Sequence, residues 1–91
     1  MHVESVMTTV WKFRIVIDDQ TVRMPAHARV ICVGLDPENL PCIWAEVISE
    51  NSLVDFSVFV TGTGHAVPEG DNRHVGSFIQ GPFVWHVWMP Y

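Results

Sequence analysis

Seven short apolar runs follow one another along this 91-residue chain, each closed by a Gly, Pro, Asn or Asp, and no window carries the spacing of an amphipathic helix. Runs that short, broken that regularly, cannot build a helical core. They predict an all-β fold: a single small sandwich or partly open barrel of about seven short, mainly antiparallel strands. The domain is expected over residues 10–91, with residues 1–9 as an N-terminal extension.

The strands are expected at 10–17, 21–24, 28–35, 41–49, 53–61, 73–80 and 83–89. The first alternates, with Trp11, Phe13, Ile15 and Ile17 on one face and Lys12, Arg14 and Val16 on the other. Asp18-Asp19-Gln20 then reads as the turn of a hairpin to the second strand. The third is apolar on both faces, the pattern of a strand covered on both sides. In the fourth, Cys42, Trp44, Glu46 and Ile48 oppose Ile43, Ala45 and Val47. In the fifth, Val54, Phe56, Val58 and Val60 are expected inward. The period-two pattern predicts Trp11, Phe13, Ile15, Val30, Cys32, Trp44, Phe56, Val58 and Phe78 as mostly buried.

Composition narrows the partners. Hydrophobic residues make up 48% of the chain and charged residues 16%, against roughly 25% charged in an average globular protein. So few charges, together with four Trp and five Phe, predict apolar surface that meets another chain, hence a homo-oligomer. The formal net charge of −5 is scattered singly. No basic stripe tracks a phosphate backbone, so duplex nucleic acid is not an expected partner. There is no 18-residue apolar window and no basic-then-apolar leader pattern, so no membrane partner is expected either. Cys32 and Cys42 each lie in an apolar run and are expected as buried thiols. The chain reads as a reduced cytoplasmic protein.

Candidate chemistry is sparse. Thr61-Gly62-Thr63-Gly64-His65 places two glycines among hydroxyls, a pattern that turns backbone N–H groups toward an anion or simply forms a bulged turn. It lacks the Lys and the following helix of a P-loop. The five histidines show no zinc-type spacing, so no metal and no cofactor are expected. No Cys or Ser sits in a nucleophile pattern, and no catalytic residue is assigned: the chain is read as a non-enzyme. On the last strand Phe83 and Trp85 share one face and Trp88 takes the other. A ligand site is expected from Gly62, Thr63, Gly64 and His65 for an anion, from Arg73 or Arg29 for charge, and from Trp85 or Trp88 for base stacking.

The succession Trp11-Lys12-Phe13, Met24-Pro25, Pro41-Cys42-Ile43-Trp44-Ala45, Thr61-Gly62-Thr63-Gly64-His65, Val75-Gly76-Ser77-Phe78 and Val84-Trp85-His86-Val87 resembles a family of small phage-encoded proteins of unassigned function. Ile43 stands where Leu is usual in that pattern. The resemblance implies a viral setting in the host cytosol, where small accessory products bind host molecules. The expected function is non-catalytic counteraction of host defence by sequestering a nucleotide-type immune signal. The alternatives are a direct inhibitor of a host defence protein and a virion structural or assembly protein.

Overall fold

The computed structural model describes residues 7–91; the greater part of the expected extension at 1–9, together with His2, lies outside the described residues. Seven strands form: β1 (Thr8–Arg14), β2 (Gln20–Pro25), β3 (Arg29–Leu35), β4 (Pro41–Ile48), β5 (Leu53–Gly62), β6 (Asn72–Gln80) and β7 (Phe83–Pro90). They assemble as two antiparallel sheets, β1-β4-β3 and β2-β5-β7-β6, and the barrel does not close. The all-β expectation holds, and the architecture is sandwich-like. No helix among the described residues is long and apolar enough to cross a membrane.

The core lies between the sheets. Ile43, Ala45 and Val47 of β4 meet Val22 and Met24 of β2, Val58 and Val60 of β5, Phe78 of β6, and Val87 and Met89 of β7. Each set is spaced by two residues because only alternate side chains of a strand reach the inner face. Ile15, Val58 and Phe78 are buried as expected, while Phe13, Val30, Trp44 and Phe56 are half-buried.

The structure corrects several readings. There is no β1–β2 hairpin: β1 pairs with β4 and β2 with β5, in different sheets. The strand ends at Arg14 because Ile15 drops into the core at 1% exposure, its N–H bonded to Pro41 O. The chain then crosses to the second sheet. Gln20 fixes that crossing, its amide donating to Val16 O and Asp18 O and accepting from Val16 N–H. At the other end, β1 begins at Thr8, two residues inside the expected extension.

β3 is an edge strand, and its outer face is left uncovered by the other strands of the chain. Ile31 is 46% exposed at a bulge between Val30 and Cys32, and Cys32 is an exposed thiol, contrary to expectation. Cys42, on the central strand, is buried, and desolvation pushes its thiol pKa up. Trp11 also departs from its expected burial: it lies on the overhanging edge strand β1, tilted against Phe13 at a ring distance of 6.4 Å. Val54, at the start of β5, is also exposed, contrary to expectation.

The β3–β4 loop is organised by Asp36, a buried carboxylate. It accepts from Glu38 N–H at 2.8 Å, Leu40 N–H at 3.0 Å and Lys12 Nζ at 3.0 Å. The Leu40 and Lys12 bonds hold its carboxyl below the usual range against the opposing effect of burial, and the same contact raises Lys12. A depressed carboxylate contributes stability that is present above its unfolded pKa, about 3.9, and lost as pH falls through the folded value. The raised Lys12 contributes below about pH 10.4 and loses its contribution as pH rises through its own folded value. Asp36→Ala is therefore expected to destabilise the chain clearly at pH 7 and less at about pH 2, because the gap to wild type narrows as pH falls below about 3.9. Urea midpoints at the two pH values measure this, and an equal gap at both refutes it.

Candidate functional site

β7 sets the geometry of the surface. Val87 and Met89 are buried under the opposing sheet, and Trp85 and Phe83 continue the same inward-facing row toward one end of the sandwich. Trp85 is half-buried against the core, Phe83 is 58% exposed, and their rings stack at 5.7 Å with an interplanar angle of 29°. The two-residue connection Gly81-Pro82 folds β6 back onto β7. Gly81 supplies the positive φ of 57° that the first central position of a type II′ hairpin requires.

Beside this aromatic pair opens a cleft of about 470 Å³, lined by Gly62, Thr63, His65, Phe83, Val84 and Trp85 among others. Gly62 lies directly across from Trp85 in the β5–β7 ladder. A Cβ at Gly62 would stand 3.1 Å from His65 Nδ1 and 3.2 Å from Trp85 Cζ3. The absence of a side chain is thus what lets the imidazole and the indole approach the same point. The cleft falls within the 300–1,000 Å³ range of small-molecule sites and has their apolar lining with a few polar groups.

The loop itself is a turn. Thr63 N–H donates to Val84 O at 3.2 Å and His65 N–H to Gly62 O at 3.1 Å, while Gly64 supplies the positive φ. Two of the backbone donors that an anion nest would need are therefore already engaged.

The expected site residues fall on four surfaces. Gly62, Thr63, His65 and Trp85 come together in the end cleft, with Gly64 exposed at the turn above it. Arg73 does not join them. It pairs with Met89, four residues along β7 from Trp85, roughly 13 Å away at strand rise. There it lines a second cleft of about 550 Å³ with Phe56, Met89 and Tyr91. Arg29 is on the other sheet, in an exposed ion pair with Glu46 at 3.2 Å. Trp88 lies on the outer face, its indole N–H donating to Thr61 Oγ1 at 3.0 Å.

Sequence reasoning assigned no ligand role to Phe83 or Val84, although the shared face of Phe83 and Trp85 was the signal that could have found the first. It also passed over the polar chain on the outer face. His86 Nε2 lies 2.7 Å from Thr63 Oγ1, His86 Nδ1 2.7 Å from Ser77 Oγ, and His74 Nε2 2.8 Å from the same Ser77 Oγ. The Trp85 indole N–H is buried with no acceptor among the described residues.

A family model described as a domain of unknown function (DUF7352) matches residues 7–91. No curated protein and no solved structure matches the chain.

Proposed function

We propose that this chain, which belongs to the family of the domain of unknown function DUF7352, is a non-catalytic binding protein whose end cleft takes a planar aromatic ligand of the nucleobase class. The observation that carries this reading is the stacked Phe83–Trp85 pair beside Gly62 and His65, an aromatic wall at the mouth of a cleft large enough for a base. A base stacked on such a wall gains about 1–3 kcal/mol. His65 supplies a polar group to its edge.

The phosphate half of a nucleotide is less well served. Two of the loop donors are engaged, and Arg73 lies at the far end of the sandwich. The proposed ligand is accordingly recognised by its base, as in a nucleoside or a nucleotide whose phosphates remain in solvent. In the phage-type setting that the motifs imply, such a protein lowers the free concentration of a host signal without chemical conversion.

Calorimetric titration against nucleosides, cyclic nucleotides and ADP-ribose-type compounds tests the proposal. Binding by at least one member, weakened ten- to a hundred-fold by Trp85→Ala or Phe83→Ala, is the expected result; that loss corresponds to roughly 1–3 kcal/mol. Flat titrations across the panel, or binding indifferent to both substitutions, overturn it.

A further inference from the structure

We infer that the outer face of β5, β7 and β6 carries a two-histidine site for a divalent transition metal, built on His74 and His86. The two imidazoles aim a nitrogen at one point. His86 Nδ1 and His74 Nε2 lie 2.7 and 2.8 Å from Ser77 Oγ, and the ring centroids are 6.1 Å apart. A single hydroxyl has one proton, so it donates to one ring and accepts from the other. With the Ser77 side chain rotated away and both rings in the tautomer that leaves those nitrogens bare, two lone pairs face the vacated position.

The convergence is a product of the backbone. His74 and Ser77 are three residues apart, and on a regular strand their side chains would face opposite sides of the sheet. A bulge between His74 and Gly76 absorbs Val75 and returns both to the outer face, His74 opposite Trp88 and Ser77 opposite His86. Trp88 and His86 are themselves two residues apart on β7, so the two histidines become diagonal neighbours across the ladder.

The surroundings suit ligation. Zinc–imidazole bonds are about 2.0–2.1 Å, so each nitrogen closes by roughly 0.7 Å on the ion. When Nδ1 of His86 binds metal, its Nε2 carries the proton and donates to Thr63 Oγ1 at 2.7 Å, the oxygen partner that metal-bound histidines use to fix their tautomer. The Trp88 ring, edge-on to His74 at 5.2 Å, fixes the other imidazole. No further His, Cys, Asp or Glu joins the pair among the described residues, so water completes the coordination. An all-imidazole donor set selects zinc, copper or nickel over magnesium or calcium.

Zinc chloride titrated calorimetrically into the whole chain is the test, with His74→Ala, His86→Ala, Ser77→Ala and His2→Ala as variants and far-UV circular dichroism to verify folding. One saturable zinc per chain is expected, weakened ten-fold or more in either of the first two variants and retained in Ser77→Ala and His2→Ala. The melting temperature should rise with zinc in wild type and not in the folded His74→Ala and His86→Ala chains. Heat that does not saturate, or wild-type affinity in either of those two chains, overturns the inference.

Discussion

Ile43→Ala is expected to destabilise the chain by about 2–5 kcal/mol, against a total of only about 5–15 kcal/mol for a typical domain. Ile43 sits at 0% exposure on the central strand β4, with Phe13 opposite it on one side and Val33 on the other. Truncation removes apolar area from the middle of the sandwich, and both flanking strands are held by the ladder, so the cavity collapses only in part. The spread in the expected loss reflects how far the neighbours relax. Urea denaturation measures it as a lowered midpoint at constant slope. Ile79→Ala is the internal control. It changes the same residue type on β6 at 68% exposure and is expected to stay within about 0.5 kcal/mol of wild type. Equal losses from the two substitutions would show that the core has been misplaced.

Strand existence was legible in this chain because alternation and punctuation are local. Asp36-Pro37-Glu38-Asn39 closes β3 with turn chemistry, and Gly81-Pro82 can do little except reverse the chain. Pairing partners were not legible, because they are long-range. The alternation of residues 10–17 runs on through Ile15, but Ile15 serves the core as the chain leaves its sheet, so the apparent hairpin joins strands of different layers. Residues 28–35 are apolar on both faces whether or not something covers the second face, and here no other strand of the chain does.

The site followed the same logic. Faces could be read, so Phe83 and Trp85 were separated from Trp88. Register could not, so nothing in the sequence placed Gly62 opposite Trp85 or Arg73 four residues away at Met89. The His74–His86 pair was hidden twice, once by register and once by a bulge that a period-two reading cannot anticipate.

That bulge leads to the second large effect. A Cβ at Gly76 would run into the Val33 side chain, because at this point edge strand β6 packs closely against edge strand β3 of the other sheet. Strand propensity alone favours Ala over Gly by about 0.5–1 kcal/mol. The clash opposes it, and overpacking of a closed seam costs about 1–3 kcal/mol. The clash outweighs the propensity gain, so Gly76→Ala is expected to be net destabilising by about 1–2 kcal/mol, lowering the melting temperature by roughly 4–16 °C. Val33→Ala supplies the decisive comparison. It is destabilising alone, since it deletes packed methyl groups, yet it removes the very atoms that the new Cβ would meet. The double variant should therefore be less destabilised than the sum of the singles by about 1 kcal/mol or more. Strict additivity in that cycle would mean that the strands separate without strain at Gly76. The close approach of β3 and β6 would then not be what demands glycine there.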